Sequence, residues 1–215
     1  MWTIALSFAL GVSLWPFLEY ALHSWLGHAA RGRNAFSREH LKHHAVKDFF
    51  APAYKKALAA APVFTATCLA GGLVAGWANG AALTLGLVIT YLSYEIVHRR
   101  AHVHPPTGRY SRWVRRNHFF HHFESPKTNH GVTTPFFDML FGTHREPGAV
   151  RVPERFAMRW LIDPATGDVR EEFRGDYELR RSRGSSASER ALREADLAAA
   201  YAGSAPEASP QLVRS

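Results

Sequence analysis

Ten of the chain's thirteen histidines fall into four short clusters. They are His23-Ser-Trp-Leu-Gly-His28, His40-Leu-Lys-His43-His44, His98-Arg-Arg-Ala-His102 and His118-Phe-Phe-His121-His122. Imidazole nitrogen suits iron, zinc, copper and nickel. On a helix, residues at i, i+3 and i+4 share a face, so each His-x-x-His-His projects three imidazoles into an arc of about 100°. His98 and His102, at i and i+4, share a face in the same way. His23 and His28 stand five apart and diverge on a regular helix; Gly27 offers a local break that turns both inward. Two metals with five or six positions each need roughly ten ligands in all, counting water and any bridge, and ten clustered histidines are about that supply. His104 and His144 fall outside the motifs and are not expected to ligate.

Something must bring clusters that lie up to about a hundred positions apart to one place. No Lys or Arg occurs in residues 1–22 or 57–97, although the chain carries 26 of them and a net charge of +8. A bilayer-spanning helix takes about 20 apolar residues. Residues 1–22, 57–77 and 80–97 read as three spans, and so long a run without a basic residue argues against buried helices of a soluble domain. Residues 1–22 lack the basic n-region of a cleaved signal peptide. Three spans place 23–56 and 98–215 on one side, together with every Lys and Arg and all four clusters. The positive-inside rule makes that side the cytoplasm. A basic face on anionic lipid accounts for the net charge, and no nucleic-acid motif accompanies it. The single Cys68 excludes an internal disulfide, a Cys-based zinc site and an Fe–S cluster on this chain.

The expected fold class is therefore all-α: a multi-pass membrane helical protein with a cytoplasmic, histidine-rich di-metal cap. Residues 1–175 form the domain and 176–215 a polar tail, disordered in part. A helix is expected over 37–46, started by Ser37 as its cap, with Pro52 ending that segment. Gly71, Gly72 and Gly76 suit close packing of a helical hairpin in lipid. His104-Pro105-Pro106-Thr107-Gly108 should break the helix carrying the third cluster, and residues 109–123 read as the next one. Asn129 to Gly142 reads as a loop near the site. Ser186 to Tyr201 reads as a short helix, with Ser186 and Glu189 at capping-box spacing.

Glu19 and Glu95 are the only charged side chains within the three spans. Charge is costly there and usually functional. Each either accepts the second N–H of a nearby ligating imidazole and orients it, or sits solvated at a span end.

The four motifs, with Asn129-His-Gly-Val-Thr-Thr-Pro-Phe-Phe-Asp138-Met-Leu-Phe-Gly142-Thr after the last, resemble the fatty acid hydroxylase superfamily of membrane di-iron enzymes. That group also holds sterol desaturases and C-4 methyl oxidases, and the likeness runs over roughly residues 15–146. It implies that His23, His28, His40, His43, His44, His98, His102, His118, His121 and His122 are metal ligands. It also implies two iron ions (zinc also fits imidazole sites in isolated protein), O2 as co-substrate and an external electron donor. Glu19, Glu95, Asn129 and His130 are candidates for the surrounding shell. His130 stands where the family often has an aromatic residue, and Asn129 either meets a metal-bound water or holds a turn, the turn being favoured.

The implied reaction is hydroxylation of an unactivated C–H bond of a membrane lipid, a fatty acyl chain. Trp15, Phe17, Tyr20, Trp25, Tyr91, Tyr94, Phe119 and Phe120 either line the approach or pack. An acidic carrier such as a cytochrome b5 or a ferredoxin is expected to dock on Arg99, Arg100, Arg112, Arg115 and Arg116, which otherwise meet lipid headgroups. A sterol desaturase or oxidase, and then a carotenoid hydroxylase, are the alternatives among enzymes, since ligand spacing does not separate hydroxylation from desaturation. A non-enzymatic membrane metal-binding or transport protein should place its ligands near mid-membrane; these lie beyond the span ends.

Overall fold

The computed structural model describes residues 1–181. Helix α1 (Trp2–Ala21) runs without interruption into a π-helical segment (Leu22–Ala29). Helix α2 (Ala35–Ala45) follows, then the hairpin of α3 (Ala53–Ala75) and α4 (Trp77–Val103). Three helical stretches are long and apolar enough to cross a membrane: Trp2–Ala29, Ala53–Ala75 and Trp77–Val103. Two of them overrun the expected spans at their C-terminal ends. A charge-free run marks contact with hydrocarbon, whereas backbone hydrogen bonding carries the helix onward. At 27 residues, α4 is about 40 Å long, some 10 Å more than the hydrocarbon core. His98 and His102 lie in its last two turns.

Glycines set how closely these helices approach, because lipid supplies no hydrophobic drive between them. A Cβ on Gly11 would stand 1.9 Å from the Leu83 carbonyl oxygen, and one on Gly86 would stand 2.3 Å from that of Phe8. Backbones of α1 and α4 therefore touch at both positions. In the hairpin, a Cβ on Gly80 would lie 2.4 Å from Gly72 N. Gly76 forms the turn itself, with φ of +90°, a conformation costly for any residue with a Cβ.

Helix α2 begins earlier than expected and with a different cap. Asn34 accepts the Ser37 N–H at 2.7 Å, so Asn34 is the cap. Ser37 is buried, donates its hydroxyl to the Gly27 carbonyl at 2.5 Å and accepts the Gly32 N–H at 2.8 Å. It fastens α2 to the π-helical segment. Pro52 introduces α3 rather than closing the segment before it, since its fixed φ suits a helix start. Helix α5 spans Arg109–Phe123, and α6 (Phe136–Leu140) interrupts the expected 129–142 loop.

Beyond α6 the described chain forms a small lobe. Strand β1 (Val150–Pro153) pairs in parallel with β2 (Tyr177–Arg180), and two short 3-10 turns lie between them. Val150, Val152, Leu161, Val169, Phe173 and Tyr177 bury their side chains against Trp160 and, from α5, Phe119. The helical architecture thus carries a two-stranded supplement whose second strand falls on residues 177–180. The alternation of Val150 and Val152 was its visible signal. The helix expected over 186–201 lies outside the described residues.

Candidate metal centre

The π-helical segment resolves the five-residue spacing of His23 and His28. A π-helix bonds i to i+5, so residues five apart come to one face. Their rings stack at 5.4 Å. No break at Gly27 is needed. Gly27 serves instead as a contact, since a Cβ there would lie 2.9 Å from the His40 ring.

All ten clustered histidines converge, in two groups of five. His23, His28, His40, His44 and His121 form the first; His43, His98, His102, His118 and His122 form the second. Within each group one ring nitrogen per residue lies within 4.8 Å of all the others. Each His-x-x-His-His divides between the groups. His40 and His44 go to the first and His43 to the second, while His118 and His122 go to the second and His121 to the first.

Backbone carbonyls fix the tautomers of three rings. His23 Nδ1–H donates to His130 O at 2.5 Å, His121 Nδ1–H to Thr128 O at 2.6 Å, and His43 Nδ1–H to Phe49 O at 2.7 Å. A carbonyl only accepts, so each Nδ1 carries the proton and each Nε2 presents a lone pair. Yet His23 Nε2 and His121 Nε2 stand 2.9 Å apart. Two bare lone pairs at that distance repel unless a cation lies between them.

A proton is poorly placed to be that cation. Burial first, then neighbouring His28, keeps the His121 imidazole well below its ordinary pKa. Burial, with the Lys56 charge adding to it, pushes His43 down to about 4. Burial likewise holds His40, His44, His118 and His122 down, each with neighbouring imidazoles adding to it. Neutral imidazoles are what a metal requires. The Nε2 atoms of His44 and His122 are buried without a hydrogen-bond partner among the described residues, and a metal ion would supply one. The donor set fits two imidazole-bound metal ions.

A family model described as fatty acid hydroxylase matches residues 8–143. The chain belongs to that family. Among curated relatives, the dihydroceramide fatty acyl 2-hydroxylase FAH2 of Arabidopsis thaliana is 29% identical over 65% of this chain and 61% of its own length. The ceramide very long chain fatty acid hydroxylase SCS7 of Saccharomyces cerevisiae is 28% identical over 66% of this chain and 38% of its own length. The fatty acid 2-hydroxylase of Mus musculus is 28% identical over 63% and 38%. The match thus spans about two-fifths to three-fifths of those relatives. A solved structure, full-length scs7p with only the hydroxylase domain visible, is similar with a TM-score of 0.56. It is 26% identical and covers 67% of this chain and 57% of that one.

In this member of the fatty acid hydroxylase family, the two span carboxylates meet other partners than imidazoles. Glu19 is buried and accepts the Val132 and Thr133 N–H groups at 2.5 and 2.9 Å, together with the Thr133 hydroxyl. Glu95 pairs with Lys56 and links α3 to α4. The backbone carbonyl of His130 occupies the role foreseen for Glu19 on His23, while Glu95 is taken by Lys56. Asn129 holds a turn: at φ of +55° it donates to Arg145 O at 2.8 Å and accepts Arg145 N–H at 2.7 Å. The His130 ring sits beside His23 and His121 at 5.5 and 5.3 Å and faces Asp138 at 3.4 Å. His104 caps α4, and His144 lies 3.8 Å from Glu146.

Three of the five arginines expected on a docking face are engaged internally. Arg112 and Arg116 pair with Asp176. Arg115 donates to the carbonyls of Arg100, His104 and Ser111 at 2.8–2.9 Å, satisfying α4's terminal carbonyls and joining its end to α5. Arg99 lies over the Phe50 ring. Of the aromatic residues, Phe119 is fully buried in the C-terminal lobe, whereas Tyr94 stacks on His98 at 5.5 Å. The roles of Asp138 and Trp160, whose indole N–H donates to His102 O at 3.1 Å, and the internal anchoring by Arg115, were not foreseen. Most of their partners are backbone atoms, which side-chain identity does not announce. A small open pocket borders both groups, lined by His43, His44, His102 and His122 and by Phe156 and Met158 of the lobe.

Proposed function

We propose that this chain is a di-iron lipid hydroxylase, with His23, His28, His40, His44 and His121 holding one iron and His43, His98, His102, His118 and His122 the other. The observation that carries it is the pair of five-imidazole groups, with the lone pairs of His23 and His121 facing each other, gathered where the apolar helices Trp2–Ala29 and Trp77–Val103 end. When bound, the metal pair supplies activation of O2 and attack on an unactivated C–H bond. The chain's own part is to hold ten neutral imidazoles in place, set a cavity against both groups, and bring the site to the membrane edge where an acyl chain reaches it.

The names of the relatives direct the reaction to carbon 2 of a ceramide-type fatty acyl group. Electrons come from an external carrier of the cytochrome b5 or ferredoxin kind. Its contact would fall on Arg99 and Arg100 rather than on Arg112, Arg115 and Arg116. The charge asymmetry supports a multi-pass arrangement with the histidines and the C-terminal side in the cytoplasm.

Lipid profiling of a host with and without the chain tests the reading. A 2-hydroxy acyl lipid that appears with the chain and disappears with His121→Ala is the expected result. A product short of two hydrogens would make it a desaturase instead. An unchanged lipid profile, from purified protein carrying two metals and supplied with a donor, would sink the hydroxylase assignment.

A further inference from the structure

We propose that Asp138 is a positioning residue for one of the two metal positions only, that of His23, His28, His40, His44 and His121. The inference rests on the metal reading above and extends it to a residue outside the ligand set.

His23 and His121 are aimed by the carbonyls of His130 and Thr128, so whatever aims those carbonyls aims the rings. A peptide unit is planar and trans, and its C=O points opposite to the N–H of the next residue. The His130 carbonyl shares its plane with the Gly131 N–H, which donates to Asp138 Oδ2 at 2.7 Å. Asp138 Oδ1 accepts the His130 N–H at 2.8 Å. One carboxylate thus grips two successive amides and turns the carbonyl between them toward His23.

The second carbonyl is reached through one intermediary. Thr128 C=O shares its plane with the Asn129 N–H, which donates to Thr143 O at 3.0 Å. Thr143 is tied to Asp138 by its hydroxyl at 2.7 Å and by its N–H to the Asp138 carbonyl at 2.8 Å. Asp138 is fully buried, so water does not compete for these bonds. Space is closed as well: a Cβ on Gly131 would lie 2.1 Å from Thr134 O and 3.0 Å from Asp138 Oδ2. In the second group, the carbonyl that orients His43 belongs to Phe49, which is not part of this loop.

The test uses the full chain purified in detergent and loaded with Co2+, following metal content and visible d–d absorption during titration. Wild type should bind two ions. Asp138→Asn presents an amide N–H to one of the two loop N–H groups, and should weaken one position about 10–100-fold while leaving the other at its wild-type affinity. Thr143→Val removes a single bond to the carboxylate and should weaken the same position by about 10-fold or less. Both positions weakening together, or neither changing in a protein whose wild type binds two ions, overturns the inference alone. A wild type that binds no cobalt pair overturns the metal reading and this inference with it.

Discussion

His44 and His122 stack face to face, ring centroids 4.0 Å apart and planes 12° from parallel, although they belong to different groups of five. Each has a buried Nε2 without a hydrogen-bond partner among the described residues. Ring contact therefore joins the two groups where the cavity meets them. Truncating one ring removes a lone pair from its own group and a packing surface from the other. The double mutant His44→Ala/His122→Ala should depart from the sum of the single mutants by about 0.5–3 kcal/mol in metal-binding free energy, as contacting residues do. Additivity within experimental error in a titration would show two independent centres.

Gly27→Ala addresses the π-helical segment. The added methyl would meet the His40 ring at 2.9 Å and the Leu22 carbonyl at 3.3 Å. A ring edge displaced by a few tenths of an ångström takes its lone pair with it. Metal affinity of the first group should fall about tenfold, with the second unaffected, since supporting contacts at metal sites are typically worth 10–100-fold. Titration of the purified variant reads this directly, and an unaltered first position would mean that the contact is slack.

Met158→Trp fills the cavity beside His43, His44, His102 and His122. Metal content should stay near wild type, because no ligand is replaced, while turnover of the acyl lipid falls about tenfold or more. Overpacking at this buried position should cost about 1–3 kcal/mol of stability. Retained turnover in the metal-loaded variant would exclude the cavity from the reaction path.

Metal should stabilise the fold strongly. The opposed lone pairs of His23 and His121 are a repulsion that a cation converts into two bonds. Free metal at about 1,000 times its dissociation constant should add about 4 kcal/mol per site. In detergent, thermal unfolding should shift upward with Fe2+ or Zn2+ and return with a chelator, and His121→Ala should lose much of the shift. A midpoint that ignores metal would contradict the lone-pair geometry.

Much of this molecule is written in local pattern. The four clusters, the charge-free runs, the stop at His104–Gly108 and helix 109–123 all follow from residues within a few turns of one another, where helical periodicity and proline chemistry act. Tertiary structure decided how the imidazoles divide. Spacing alone puts the three rings of His-x-x-His-His on one arc, but only their meeting with rings from the other helices sends i and i+4 to one group and i+3 to the other. The glutamates show the same limit: Glu19 and Glu95 could be read as costly buried charges, while the groups that meet them, the amides of residues 132 and 133 and Lys56, come from other elements. Carbonyls that orient His23, His43 and His121 belong to every residue type alike. Their aim depends on peptide planes fixed by distant partners such as Asp138, and no reading of side chains along the chain contains that information.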